Sequence, residues 1–312
     1  MRKHIFFTAV AALSFSGLAH AQNRRVDRML DRQFPNQRHE IIGENKVNGT
    51  TVYDVRVTGD RGEAGAQITV DGDFLSTSSP ISADRLPPTA AEVLEAMRGG
   101  RPDADRDRDV QRIERTYFQL DLDLGHRPVR VEFDAAGRLH RILNHRQMHE
   151  ADAGEGLERT DRRGEESIAE FVHRYFDNSH IRAVYRSPEG EGFYVVKLTA
   201  DRENRPVTAV MSDRGDISNW QIEVDPREVP RAVMDAVHEA FGNVEIERTM
   251  RSMTDYYRVE RPIGGDRVAI DVKPSGEILR VEGETYRFDD RWHDRRGDVP
   301  RIPDRDRDRD RR

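Results

Sequence analysis

The chain has no cysteine among its 312 residues. That excludes disulfides, thiolate metal sites, a thiol nucleophile and a lipid-modified cysteine after an export signal, so packed cores must hold the fold alone. Tryptophan is scarce, with two residues, and aromatics of all kinds make up 7%. Long apolar runs are missing as well: beyond Leu18 no stretch approaches the roughly 20 residues that span a bilayer. There is no Gly-x-Ser-x-Gly elbow and no glycine-rich phosphate loop. No other constellation points to an enzyme, and no cofactor is expected. Acidic and basic residues are interleaved at a formal charge of −7. No basic stripe follows a phosphate backbone, so nucleic acid is not expected as a partner.

What is present begins with an export signal. Arg2, Lys3 and His4 form a basic start, an apolar stretch runs from Ile5 to Leu18, and Ala19-His20-Ala21 supplies the small-x-small ending. Residues 1–21 therefore read as a signal peptide cleaved near Ala21, and the protein as periplasmic or secreted. Losing Arg2 and Lys3 moves the formal charge from −7 to −9. Hydrophobic residues (36%) barely outnumber charged ones (35%), which predicts thin cores and much exposed surface.

Internal similarity is the strongest signal. Four segments, about 23–85, 86–149, 164–227 and 228–287, each open on an amphipathic helical pattern. The apolar stripes are Val26, Met29 and Leu30; Val93, Leu94 and Met97; Ile168, Phe171, Val172 and Tyr175; and Val233, Ala236, Val237, Ala240 and Phe241. A strand of period two follows each: 51–57, 116–124, 192–198 and 255–260. Its alternation sends Tyr53, Val55 and Val57, Phe118, Leu120 and Leu122, Tyr194, Val196 and Leu198, or Tyr257 and Val259 to the core beneath the helix. A second strand ends in a turn carrying Gly72, Gly137, Gly215 or Gly276, and a third strand restarts at once.

The fold class expected is α+β, as four repeats of one helix on a three- to four-stranded antiparallel meander, paired into two domains. These are 22–149 and 164–287, joined by a polar linker at 150–163. Residues 288–312 form an Asp/Arg-rich tail too polar to order itself, with docking through Trp292 as the sharper alternative.

Two segments carry a family likeness: LPPTAAEVLEAM with TYFQLDLDLGHRPVRVEFDAAGRLHRI, and VPRAVMDAVHEAF with DYYRVERPIGGDRVAIDVKPSGEILRVEGE. The unit resembles the PepSY-like family, in the version related to β-lactamase-inhibitor-type proteins. The resemblance implies a non-enzymatic fold in which tandem units join their sheets, and an open face that binds or inhibits another protein. It transfers no active-site residue.

Within the strands, the residues before the core aromatics point away from the core: Val52, Tyr117, Phe193 and Tyr256. Tyr117, Phe193 and Tyr256 are therefore the candidate binding anchors, since aromatics are favoured at interfaces. The competing reading is that they pack on neighbouring strands of their own sheet. Asp103, Asp105 and Asp107, with Glu114 at the twelfth position, match a calcium loop in part. Arg108 occupies the turn position that wants glycine, which weighs against a metal there. His145 and His149 have the i, i+4 spacing of a zinc pair but no third ligand. The reading favoured by the sequence is an exported protein-binding module. The alternative is a metal- or small-ligand-binding sensor of the cell envelope.

Overall fold

The computed structural model describes residues 19–59, 62–96, 110–125, 127–144, 157–160, 162–176, 178–200, 205–263 and 266–282. Among the described residues there are four α-helices and fourteen strands. Helix α1 (Ala19–Gln33) precedes β1 (Arg38–Val47), β2 (Thr50–Gly59), β3 (Gly62–Thr69) and β4 (Phe74–Pro80). Helix α2 (Pro88–Ala96) precedes β5 (Val110–Asp123), β6 (Pro128–Asp134) and β7 (Leu139–Asn144). Helix α3 (Arg162–Tyr175) leads into β8 (His180–Arg186), β9 (Phe193–Ala200), β10 (Arg205–Ser212) and β11 (Ile217–Glu223). Helix α4 (Arg231–Phe241) leads into β12 (Glu245–Ile263), β13 (Asp266–Val272) and β14 (Ile278–Glu282).

All fourteen strands belong to one antiparallel sheet with the backbone order β1-β2-β3-β4-β5-β12-β11-β10-β9-β8. Its seam is the pairing of β5 with β12, which runs from Val110 opposite Val259 to Asp123 opposite Glu245. Each seam strand is long enough to take two partners on its outer edge. The first half of β5 pairs with β4 and its second half with β6. Likewise β12 pairs first with β11, then with β13. Chain from before residue 145 and chain from after residue 157 thus share one continuous sheet.

All four helices lie on one face. A register row runs Ile41, Val55, Ala66, Thr77, Glu114 and Asp255 across six strands. A second row runs Phe118, Arg251, Ile222, Val207, Leu198 and Ile181. Residues sharing a row share a side of the sheet. Val26 and Leu30 of α1 are buried on Val55, Val57, Ala66 and Ile68. Ile168 and Val172 of α3 share their core with Val196, Leu198, Val207 and Met211. These two helices lie on the strands that follow them.

Helices α2 and α4 do not, which departs from the expectation that each helix covers its own meander. Ala90 and Val93 of α2 pack with Tyr257, Val259, Val268, Ile270 and Val281, on β12–β14. The Thr89 hydroxyl donates to the Pro274 carbonyl at 2.5 Å in the β13–β14 turn. Val233 and Val237 of α4 belong to the core of Phe118, Leu120, Leu122, Val131 and Phe133. Gly137 in the β6–β7 turn sits against Ala232 and Ala236 of α4.

The reason is the reach of the connections. Pro80 ends β4 opposite Gln111 at the start of β5, and Gln111 lies opposite Arg258 on β12. Eight residues later α2 begins, so it settles at the level where β12 and β13 run. The partners β6 and β7 join β5 only from Tyr117 onward, about 20 Å further along at the rise of an extended strand. By the same geometry α4, starting soon after β11, lands on β5–β7.

Candidate functional site

With the helices on one side, the opposite side of the sheet carries none of the four. A single register row crosses its ten backbone strands: Gly43, Asp54, Gln67, Ser76, Arg115, Thr254, Asn219, Val210, Val195 and Tyr185. The polar part of this row is stitched by side chains. Gln67 donates to Asp54 at 2.9 Å, and Asn45 donates to the other carboxylate oxygen at 2.7 Å. The Ser76 hydroxyl donates to Gln67 Oε1 at 3.4 Å.

Arg115 stands at the centre of that row, opposite Thr254. Tyr117 is two residues along β5 and Tyr256 two residues along β12, in opposite directions because the strands are antiparallel. The guanidinium of Arg115 stands beside the Tyr117 side chain, which helps to hold its charge, and lies over the Tyr256 ring, 5.3 Å from its centroid. Tyr117 also meets the His140 ring edge-on at 5.0 Å. Burial pushes the Tyr256 phenol up to about 12, against the pull of Arg115. The Tyr256 hydroxyl is buried without a hydrogen-bond partner.

Around this centre, cations and anions are matched. Arg130 holds Asp121 through two nitrogens at 2.6 and 2.8 Å, and Arg258 holds Asp271 in the same way at 2.7 and 2.8 Å. Glu132 accepts from Gln119 at 2.8 Å and from Arg141 at 3.2 Å. Asp134 accepts from Arg138 at 3.0 Å and contacts His140 at 3.4 Å, and its carboxyl sits below the ordinary range despite burial. Fork-to-fork pairs of this kind fix side-chain geometry as well as charge.

The sequence-derived anchors fare unequally. Tyr117 is half-buried on the helix-free face, whereas Phe193 and Tyr256 are only 5% and 3% exposed. Tyr117 and Tyr256 are brought together by Arg115. Phe193, at the start of β9, lies three strands beyond β12 and pairs with Ser212. Glu114 is on the other face, bound to Arg112 at 3.1 Å and to the Thr77 hydroxyl at 3.3 Å. Asp103, Asp105 and Asp107, together with His145 and His149, lie outside the described residues, as do the Asp/Arg tail and most of the expected 150–163 linker; the rest of that linker is structured, with Arg159 bridged to Tyr185 and a helix beginning at Arg162. Among the described residues, no three His, Asp or Glu side chains are grouped to hold a metal.

One residue central to this face escaped sequence reasoning. Arg115 falls in a run of alternating charge, and nothing local separates it from its neighbours. The signal available was its offset: Thr116-Tyr-Phe matches Asp255-Tyr-Tyr, so Arg115 matches Thr254, the residue it faces.

A second polar cluster lies on the helix side, between the apolar patches under α2 and α4. Arg112 bonds Asp255 and Glu114 there. Burial is the largest influence on Asp255 and holds its carboxyl above the ordinary range, with Arg112 opposing. The His173 ring and the Ser179 hydroxyl are 3.1 Å apart, but Ser179 is buried just past the end of α3, where the pair tethers the chain between α3 and β8.

The chain matches no family model, and no curated protein matches it. Among solved structures, a BLIP-like protein from Bacteroides fragilis aligns at 17% identity and a TM-score of 0.24, covering 45% of this chain and 97% of that one. A DUF2874 family protein from Bacteroides uniformis aligns at 16% identity and 0.24, covering 38% and 91%. The C-terminal domain of YpeB from Bacillus megaterium aligns at 10% identity and 0.20, covering 85% and 96%. No helix of the described residues is long and apolar enough to cross a membrane.

Proposed function

We propose that this protein is a non-enzymatic, exported binding module that presents the helix-free face of its sheet to another protein. The observation that carries the reading is the segregation of the two faces. Four helices cover one side, while on the other a polar row from Asp54 to Asn219, with Arg115 within it, spans six strands. A sheet face that only had to be solvated would have no need of a half-buried arginine stacked on a tyrosine, whereas Tyr and Arg are the residue types that anchor interfaces. Export is part of the proposal and rests on the signal-like residues 1–21.

A tandem organisation is also part of it. Under the correspondence of β5 with β12, β6 with β13 and α2 with α4, the seam has an approximate two-fold axis at the Arg115–Thr254 pair. Tyr117 and Tyr256 are then equivalent positions on either side of it. The four-repeat reading supplies that correspondence, and the exchange of α2 and α4 is what a two-fold relation between half-chains would produce.

Photo-crosslinking in the exporting cell tests the reading. A crosslinker replaces Gln67 or Gln221 on the helix-free face, or Asp235 or Glu239 on the exposed side of α4. One and the same protein should be captured from Gln67 and Gln221 and not from the helix positions. Equal capture from α4, or none from the sheet, would refute it.

A further inference from the structure

The other arginines of the helix-free centre have carboxylate partners: Arg130 with Asp121, Arg141 with Glu132 and Arg258 with Asp271. Arg115 has none. Its contacts are the Tyr117 side chain and the Tyr256 ring, although it is half-buried. A guanidinium has five N–H donors in a planar fork, and those two contacts leave most of the fork without an acceptor.

We infer that Arg115, steadied by Tyr117 and Tyr256, is the anchor for a single carboxylate, an Asp or Glu side chain carried on a loop of the partner protein. The inference rests on the binding-module reading above and names the chemistry of the partner at that face. Three features support a carboxylate. The guanidinium lies over the Tyr256 ring, 5.3 Å from its centroid, and the rest of its fork has the shape that a carboxylate meets bidentately. The neighbouring acids Asp121, Glu132 and Asp271 are already engaged by their own cations, and Asp271 acts on Arg115 only at a distance, so among the described residues no carboxylate meets the Arg115 fork directly. Tyr117, half-exposed beside it, keeps a hydroxyl proton that a second carboxylate oxygen can accept.

The wider charge limits the partner to one acid rather than many. The chain carries a net −7 and the face is laced with carboxylates, so a polyanionic surface would be repelled on approach. One acidic side chain entering a ring of matched pairs gains the Arg115 contact without that penalty.

The test uses the full-length secreted chain and two short blocked peptides, acetyl-Gly-Ser-Glu-Ser-Gly-amide and its Gln counterpart. The arginine Nε–Hε resonances are followed by NMR during titration. The Glu peptide should shift the Arg115 signal saturably, and the Gln peptide should be at least tenfold weaker. Arg115→Gln should abolish the effect on the surrounding backbone amides, and Arg115→Lys, which keeps charge but not the fork, should weaken it at least fivefold. If Arg115→Gln does not fold, Arg115→Lys and Tyr117→Phe carry the comparison. Equal shifts with both peptides, no shift with either, or shifts that survive Arg115→Lys unchanged overturn the inference. Failure here with sheet-specific crosslinking intact removes the carboxylate anchor and keeps the binding face. Failure of both removes the face itself.

Discussion

Gly137, in the turn between β6 and β7, lies directly beneath the carbonyl of Ala232 in α4. The two residues are far apart in the chain, and a β-carbon at Gly137 would overlap that carbonyl. The backbone there has φ of +81°, a region that disfavours other L-residues. Gly276 holds the matching position under α2, with φ of +86° and the Thr89 carbonyl 3.2 Å from where a β-carbon would sit.

From this contact, Gly137→Ala should destabilise the protein by about 1–3 kcal/mol, since overpacking and backbone strain act together. Gly49→Ala is the internal reference: its φ is +78° but nothing lies within 4 Å of an added β-carbon. Urea denaturation of both variants isolates the helix contact. Equal losses would mean that α4 does not press on the turn. Gly276→Ala should fall between them.

Exchange of α2 and α4 makes the half-chains mutually dependent. Specific cleavage between residues 144 and 157 should leave both fragments co-eluting as one species in size-exclusion chromatography under native conditions, and separating only in denaturant. Dissociation in plain buffer would argue that the β5–β12 seam and the crossed helices contribute little.

Asp255 gives a pH dependence with a definite sign. Burial raises its carboxyl in the folded state, so between the unfolded and folded values the folded protein binds more protons than the unfolded one. The stability this group contributes is full on the acid side and is lost as pH rises through the folded value. Asp255→Asn has no such dependence, so its stability relative to the parent should improve from pH 4.5 to pH 8. Paired urea midpoints at the two values measure it. Movement the other way would show that Arg112 keeps the carboxylate ionised throughout.

Removing Arg112 tests the same cluster from the other side. Arg112→Met leaves Asp255 buried beside Glu114 without its cation, and a loss of about 3 kcal/mol at neutral pH is expected from stranding one member of a buried pair. The loss should shrink on acidification as Asp255 takes up a proton. A pH-independent loss would assign the effect to packing alone.

At the unpaired edge strand β7, Ile142 is 51% exposed. Ile142→Lys should change stability by no more than about 0.5 kcal/mol and reduce concentration-dependent association in light scattering, because a charge on an open edge blocks edge-to-edge pairing. Unaltered scattering would remove β7 as the sticky edge.

Much of this protein was legible in its sequence because the relevant signals are local. Period-two alternation placed Phe118, Leu120, Leu122, Val196, Leu198 and Val259 in cores, and all are buried. The turn glycines Gly72, Gly137, Gly215 and Gly276 all have positive φ. Strands β1 and β8 went unread: β1 alternates half-exposed with exposed residues over most of its length, β8 buries only the consecutive Ala183 and Val184, and each carries a bulge, at Ile41–Gly43 and Ile181–Ala183.

Composition, periodicity and turn chemistry thus determined which residues form helices and strands, and which side of each is apolar, because those are properties of neighbours in the chain. Only the tertiary structure decided where the helices settled and what stands at the centre of the open face. An apolar stripe on α2 fits the meander after it or the one across the seam equally well; the short link from β4 chose. Arg115 came to stand between two tyrosines through the register of β5 on β12, a long-range pairing that no local pattern encodes.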